Sequence, residues 1–195
     1  MNLNKYEEKM IGELRDIFGG DQKAFSYQEK DTPHKLDILF AKNCPSRNYL
    51  SASTLGLVNR TTGYKDKNSG KDIRAELIMS GYGGSDMIGK ILTTAGTGIF
   101  ASEIMYGYGT ALKGVLEIYL PNSDMKHLFL MNPPPIWSKK FRTVEVEDEI
   151  ITFLYALPIS QAELEFMSKN SIDALQDKFV EVNIDMFDLE RKSVF

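Results

Sequence analysis

Apolar and polar residues alternate most clearly in the middle of the chain, between positions 48 and 80. In the segment 72–80 every second residue is apolar: Ile73, Ala75, Leu77 and Met79. This period of two predicts a strand with one apolar face. A second predicted strand spans 48–56, and the polar, glycine-containing segment 59–71 between them predicts an exposed tip. We therefore expect an antiparallel hairpin whose apolar face other elements cover, with Arg74 and Glu76 forming an ion pair on its opposite face.

Helical spacing replaces alternation near both ends of the chain. Asn4 and Glu7 form a capping-box pattern that opens a helix over 4–18, and Gly19-Gly20 ends it. A second capping box, Ser160 to Glu163, opens the C-terminal helices at about 160–182, and Ser171 caps the last of them. The inward residues of that last helix are predicted to be Ile172, Leu175, Phe179 and Val180.

The rest of the chain holds one more predicted helix and several strands. The helix begins at Ser85, and Gly96 and Gly98 predict a break in it. Predicted strands cover 24–27, 34–41, 115–120, 127–131, 143–146 and 150–157, with Glu147-Asp148-Glu149 as a hairpin tip and Pro158 as the last strand's end. Because strands and helices do not alternate strictly, the order favours an α+β fold with a mostly antiparallel or mixed β-sheet flanked by helices. We expect a single domain over residues 1–195.

Composition narrows the class of protein. The chain has 195 residues, of which 43% are hydrophobic and 26% charged, as in soluble globular proteins. No window approaches the ~20 apolar residues of a membrane span, and the N-terminus shows no apolar signal core. The single cysteine, Cys44, excludes an internal disulfide framework and favours a reducing compartment. The net charge of −4 argues against nucleic-acid binding. We expect a cytoplasmic protein with neither membrane nor nucleic-acid partners.

Sequence motifs typical of catalysis and cofactor binding occur in this chain only in part, or in a predicted structural context that does not suit them. The segment 96–101 matches G-x-G-x-x-A but lies in a predicted helix, and Gly70-Lys71 is followed by Asp72 where a P-loop needs serine or threonine. His34 and His127 are the only histidines, and no second ligand stands at metal-binding spacing. We therefore predict no catalytic residue, no metal and no cofactor, and retain an unrecognised hydrolase that uses His34 or His127 as an alternative.

Aromatic and acidic residues in loops provide candidates for binding a protein partner. Tyr82, Tyr106, Tyr108 and Trp137 lie in or beside glycine and proline loops, where exposed aromatic rings supply contact area. For Trp137 the alternative is that it covers the core under the triple proline 133–135. Six acidic residues suit a basic partner: Glu145, Glu147, Asp148, Glu149, Asp185 and Asp188. For Glu145, Glu147 and Glu149, which alternate along one strand and its tip, the alternative is a solvated strand edge.

Several of these stretches together resemble the suppressor-of-fused family. The strand Leu50-Ser51-Ala52-Ser53-Thr54-Leu55-Gly56 precedes Arg74-Ala75-Glu76-Leu77 as the family's Thr/Ser–x–Gly strand precedes its R-x-E-L strand. Further similarities follow in the family's order: His127 to Pro134, Ile150 to Ile159, and Asp188 to Val194. The resemblance implies the family fold and a domain that binds other proteins. Small bacterial members look like immunity proteins or antitoxins encoded beside polymorphic toxins, which are often nucleases.

Three functional hypotheses follow. The first is a non-catalytic immunity protein that neutralises a cognate toxin by direct binding. The second is a regulatory adaptor that captures an extended peptide by strand addition, as the family's animal members imply. The hydrolase is the third.

Overall fold

The computed structural model describes residues 4–28, 35–83, 86–102, 104–137 and 139–195. Four α-helices occur in these residues: α1 Lys5–Phe18, α2 Met87–Ala101, α3 Gln161–Lys169 and α4 Ile172–Glu181. A short 3-10 helix covers Leu57–Asn59. The strands are β1 Gln22–Gln28, β2 Lys35–Lys42, β3 Tyr49–Leu55, β4 Thr61–Lys65, β5 Asp72–Tyr82, β6 Ala111–Leu112, β7 Met125–Met131, β8 Val144–Val146 and β9 Glu149–Ser160.

The described strands form one mixed sheet in the order β1-β2-β3-β5-β9-β7-β6. The pairing of β5 with β9 is parallel and runs from Asp72 opposite Glu149 to Ile78 opposite Tyr155. The remaining pairs are antiparallel, including β3 with β5, β4 with the start of β5, and β8 with the start of β9. The predicted α+β fold with a mixed sheet and flanking helices is confirmed, as is the hairpin of β3 and β5.

Helices cover both faces of this sheet. Alternate residues of β5 divide between them: Leu77 belongs to the core under α2, whereas Ile78 belongs to the core under α1, α3 and α4. Strand β9 divides in the same way, with Leu154 on the first side and Phe153 on the second. The molecule is thus a three-layer arrangement with two hydrophobic cores, one on each face of the sheet.

The helix starts agree with the capping patterns in the sequence. The Asn4 side chain accepts hydrogen bonds from the N–H groups of Tyr6 and Glu7, and Ser160 accepts one from Glu163. Ser171 caps α4 by accepting from the N–H of Ala174. These contacts are local, so the residues that make them are recognisable without knowledge of the fold.

Helix α2 differs from its prediction because tertiary packing outweighs helix propensity. It is continuous through Gly96 and Gly98, so the predicted break is wrong. A Cβ at Gly96 would lie 2.5 Å from Cδ2 of Leu36, and one at Gly89 would lie 2.4 Å from Cζ of Phe40. These glycines let α2 lie close against the sheet, which offsets their cost of ~1 kcal/mol each in a helix. The predicted cap Ser85 and the candidate base His34 lie outside the described residues.

Two loop and strand assignments also need correction. The segment 59–71 is not only an exposed tip, because β4 within it pairs with β5. Conversely, 115–120 is not a strand but a series of turns, in which the N–H groups of Tyr119 and Leu120 bond to the carbonyl of Leu116. Gly114 enters this region with a φ of 75°, a conformation that breaks strand geometry. Val180, predicted to point inward, is 79% exposed.

Strand β9 continues through Pro158 to Ser160, so the predicted end at Pro158 is wrong. Proline has no N–H to donate and normally interrupts a central strand. Here β5 pairs with β9 only as far as Tyr155, and Pro158 lies opposite Leu128 of β7. On the β5 side, β9 therefore has no strand partner at Pro158, so the missing N–H of the proline breaks no hydrogen bond to β5.

Arg74 and Glu76 do not form the predicted ion pair, because each has other partners. Arg74 pairs with Glu149, with Nη2 2.6 Å from Oε1. Glu76 is fully buried and accepts hydrogen bonds from the Thr54 hydroxyl and from the N–H groups of Gly56, Leu57 and Val58. Burial raises the pKa of Glu76 to about 8, while these hydrogen bonds oppose that rise.

The C-terminal segment docks through a buried ion pair. Arg191 Nη1 lies 2.6 Å from Oε1 of Glu163, and Nη2 lies 2.8 Å from Oε2, a two-pronged contact inside the protein. Arg191 also donates to the carbonyl of Pro158, and Val194 donates its N–H to Glu163. The tail thereby ties β9 and the start of α3 together. No helix of the described residues is long and apolar enough to cross a membrane.

Candidate binding surface

Three aromatic side chains meet where β3 begins and β5 ends. Tyr49 and Tyr82 are partners across the hairpin, and their rings stack at a centroid distance of 5.4 Å with 28° between planes. The ring of Phe187, from the C-terminal segment, lies 4.5 Å from that of Tyr49. Tyr82 is 52% exposed. We call Tyr49, Tyr82 and Phe187 the aromatic ledge.

A tight backbone contact places the ledge at the sheet's end. The N–H of Gly83 donates to the carbonyl of Asn48 at 2.7 Å. A Cβ at Gly83 would lie 2.8 Å from that same oxygen, so a side chain there would push the two strands apart. Asn48 itself has a φ of 71°, a conformation that asparagine adopts more readily than most residues. The two tyrosines are therefore held by backbone geometry.

An acidic rim borders the ledge. The Tyr82 hydroxyl donates to the carboxylate of Asp185, which raises the pKa of Tyr82 to about 12. Asp185 also accepts from the N–H of Phe187, and Asp188 follows in the next turn. An exposed aromatic surface beside carboxylates suits a partner that presents cationic side chains.

An open groove of about 710 Å³ lies beside the ledge on the α2 face of the sheet. Phe40 and Leu50 lie along it, together with Phe25 of β1, which is 51% exposed. The charged side chains at the groove are of both signs: Asp21, Lys23, Lys42 and Asp86. The groove thus offers an apolar surface with a mixed polar border.

The six predicted partner-binding residues do not form one surface. Tyr82, Glu147 and Asp148 are exposed, and Tyr108 is 45% exposed. Tyr82 ends β5, whereas Glu147 and Asp148 lie beyond its other end, next to the pairing of Asp72 with Glu149. About 33 Å of strand separates the two ends of β5. Tyr108 contacts a third region, with its hydroxyl 3.4 Å from Gln176 of α4.

Tyr106 is buried, contrary to the exposure expected of it, and Trp137 is buried as well. The Tyr106 hydroxyl donates to the carbonyl of Ala75 at 3.3 Å, and burial raises its pKa. The Trp137 indole N–H lies 3.3 Å from Oγ of Ser51, and its ring packs on Phe18. The alternative interpretation of Trp137, as a residue that covers the core, is the one that agrees with the structure.

The acidic residues near the β8–β9 tip are mostly paired with cations. Glu147 contacts Lys5 of α1, and Glu145 lies 2.6 Å from Lys71. Glu149 is held by Arg74, which lowers the pKa of Glu149. Their negative charge is therefore partly neutralised before any partner arrives, unlike that of the rim at the ledge.

His127 is held as a structural residue. Its Nδ1 accepts the N–H of Gly114 at 2.9 Å, so Nε2 carries the proton and donates to Oε1 of Gln161 at 2.8 Å. Both ring nitrogens are thus occupied. Cys44 is buried, and burial raises the pKa of its thiol. Within the described residues, no group of three His, Cys, Asp or Glu side chains could hold a metal ion.

Sequence reasoning missed Tyr49, Phe187 and Phe25 as surface candidates. Tyr49 could have been found, because the predicted hairpin places the start of its first strand near the end of its second. Phe25 lies in the short alternating stretch 22–28, where only Lys23 is charged. Phe187 had no such signal, since its position depends on how the tail docks.

Comparison with known proteins identifies the family to which this chain belongs. The model of the suppressor of fused protein family matches residues 32–192. Immunity protein YqcF of Bacillus subtilis (strain 168) is 33% identical over 189 residues, which cover 96% of this chain and 97% of that protein. A putative suppressor-of-fused homologue from Neisseria gonorrhoeae FA 1090 has a similar structure, with a TM-score of 0.72 at 16% identity over 97% of both chains. A chain of the Sufu–Fu complex gives a TM-score of 0.62 at 12% identity, over 96% of this chain and 91% of that one.

These matches agree with the resemblance noted in the sequence and with the mixed sheet between two helical layers. The chain belongs to the suppressor-of-fused family.

Proposed function

We propose that this protein is an immunity protein that neutralises a cognate toxin by binding it directly, without catalysis, in the cytoplasm. The observation that carries the proposal is the 33% identity to immunity protein YqcF over almost the full length of both chains. The toxin is of the polymorphic type, and a nuclease fits best, because the basic surface that binds nucleic acid complements an acidic rim.

The aromatic ledge is the proposed contact surface. Its exposed tyrosine supplies the kind of rigid, amphipathic area that dominates binding energy in interfaces. Asp185 and Asp188 add charge that steers a basic partner during association. Of the predicted binding residues, Tyr82 alone lies on the ledge.

The test compares Tyr82→Ala with Tyr108→Ala. Both tyrosines are about half exposed, and they lie in different regions of the surface. The product of the gene adjacent to this one is co-expressed with each variant, and binding and growth rescue are measured. We expect Tyr82→Ala to weaken binding at least about tenfold, the effect of losing a contact worth about 1.4 kcal/mol or more, while Tyr108→Ala leaves it unchanged.

Two results would contradict the proposal. If Tyr108→Ala weakens binding and Tyr82→Ala does not, the contact surface is elsewhere. If growth is rescued with no complex formed, direct neutralisation is wrong altogether. Circular dichroism of each variant shows whether it is folded.

The second candidate is a regulatory adaptor that captures an extended peptide as an added strand. The observation that favours it is the position of β1 at the end of the sheet. A peptide array separates the two functions, because toxin neutralisation requires a folded partner. For the hydrolase, replacing His34 and His127 with alanine is the test, and loss of effect with binding intact would support it.

A further inference from the structure

Strand β1 is the terminal strand of the sheet, and among the described residues no further strand lies outside it. It pairs with β2 over seven consecutive residues without a bulge, from Gln22 opposite Ala41 to Gln28 opposite Lys35. Such an edge presents unpaired N–H and C=O groups that can accept another strand. Proteins usually protect edges of this kind with charges, prolines, bulges or a covering element.

This edge has little of that protection. Within the strand only Lys23 is charged, and there is no proline. Lys23, Ala24, Phe25 and Ser26 are all exposed, so neither face of the strand's centre is covered by the described helices. Phe25 packs against Phe40 on one side, with a centroid distance of 5.8 Å, yet half of its surface remains in contact with solvent.

The residues of β1 are also complementary to themselves. An antiparallel pairing of two copies about Phe25 places Phe25 opposite Phe25, Lys23 opposite Tyr27, Ala24 opposite Ser26, and Gln22 opposite Gln28. Aromatic pairs, a lysine beside a tyrosine ring and paired small residues are favourable across strands. No like charges meet in this register, which is the requirement for an isologous two-fold contact.

We propose that two copies of this protein associate through β1, in antiparallel register centred on Phe25, to form one continuous sheet. The two-fold axis runs perpendicular to the sheet, so the groove beside each β1 continues into that of the other copy. Tyr49 and Tyr82 of the aromatic ledge lie beyond β2, on β3 and β5, so the ledge is not covered by the second copy in the dimer. A contact of one seven-residue strand pair is small, so a dissociation constant on the order of micromolar is expected.

A cysteine cross-link tests the register. Directly opposed residues have Cα atoms about 4.5–5.5 Å apart, within the range that a disulfide bridges. Phe25→Cys should therefore form a covalent dimer under mild oxidation. In the control Lys23→Cys, the two cysteines would lie four residues out of register, about 13 Å apart. The native Cys44 is buried and does not compete.

The proposal is overturned if Phe25→Cys gives no more covalent dimer than Lys23→Cys. It is also overturned if analytical ultracentrifugation shows the unmodified protein as a monomer up to about 1 mM, far above the expected dissociation constant.

A charge substitution tests the same contact without a covalent bond. Phe25→Lys places two cations opposite each other at the two-fold axis and should weaken dimerisation at least tenfold, whereas Tyr108→Lys, at an equally exposed aromatic, should not. Equal effects of the two variants would contradict the register. If the unmodified protein is a monomer and Phe25→Lys abolishes toxin binding, the edge receives a strand of the partner and not a second copy. The cross-linking and dimerisation measurements need only this protein, so they can fail while the immunity function stands.

Discussion

Strands β9 and β1 belong to the same sheet, yet their surroundings differ at almost every residue. From Phe153 to Ser160, β9 is buried without exception, with β5 on one side as far as Tyr155, β7 on the other side from Tyr155 onward, and helices over both faces. Among the residues that the structure describes, strand β1 has a neighbouring strand on one side only, and it has exposed residues on both faces. The residues that hold the fold together thus lie at the sheet's centre, and its edge is available for association.

The polar contacts follow the same division. The centre is reinforced by buried polar contacts, the ion pair of Glu163 with Arg191 on one face and the Glu76 carboxyl group among backbone N–H groups at the end of β3. In contrast, Glu147 and Lys5 near the surface form an exposed pair, of a kind that contributes little to stability. We therefore expect substitutions to affect stability at the centre and association at the edge.

Removing the buried cation should produce the largest effect. Arg191→Ala leaves the Glu163 carboxylate buried without its partner, which typically costs about 3–5 kcal/mol of unfolding free energy. Urea denaturation measures it. The control is Lys192→Ala next in the chain, an exposed residue whose loss should change stability by less than about 0.5 kcal/mol. Equal stability of the two variants would show that the tail does not hold β9.

Substitution of one phenylalanine in each strand compares the contributions of β9 and β1 to stability directly. Phe153→Ala empties a buried site in β9 and should cost about 3–5 kcal/mol. Phe25→Ala in β1 removes a ring that is half in solvent already and should cost about 1 kcal/mol or less. Denaturation of dilute protein, at which any dimer has dissociated, gives both values. A cost at Phe25 as large as that at Phe153 would mean that β1 is part of the core.

The pH dependence of stability tests the buried carboxyl group of Glu76, with an effect that is spread over several pH units. The pKa of Glu76 is about 8 in the folded protein and about 4.5 in the unfolded chain, so the folded state holds a proton that the unfolded chain has released. The unfolding free energy should then fall as pH rises from about 5.5 to 8, by at most about 1.4 kcal/mol per pH unit.

The matched variant is Glu76→Gln, which cannot titrate. It should flatten this part of the stability curve while leaving the contribution of every other group in place. Glu149, whose pKa is lowered, contributes with the opposite sign but at more acidic pH. Identical slopes for the two proteins would show that Glu76 keeps the same charge in both states.

Local signals in the sequence were sufficient where the structure is determined locally. The caps at Asn4, Ser160 and Ser171 are made by residues within three positions of one another, and all were predicted. The β3–β5 hairpin was predicted as well, because its apolar residues alternate over nine positions.

Distant contacts explain the errors. Tyr106 lies among glycine residues that suggest exposure, but its partner Ala75 is far away in the chain. Trp137 was left open between surface and core, and its partner Ser51 is equally distant. Gly96 predicts a break in the helix, because the sequence does not show that Leu36 packs against this glycine in the folded protein. Only one of the three residues of the aromatic ledge was predicted, since Tyr82 stands beside recognisable glycines, whereas Phe187 reaches the ledge only through the docked tail.

The parallel pairing of β5 with β9 also determines when the sheet can form during protein synthesis. These strands are neighbours in the sheet, but more than sixty residues separate them in the chain, from Tyr82 to Glu149. A nascent chain that has not reached residue 160 lacks part of its central strand, and the Arg191 contact requires almost the whole polypeptide. At about 5–20 residues per second, translation of this chain takes about 10–40 seconds. The central strand can therefore be completed only after residue 160 has been synthesised, and the buried ion pair only after residue 191, late in the translation of these 195 residues.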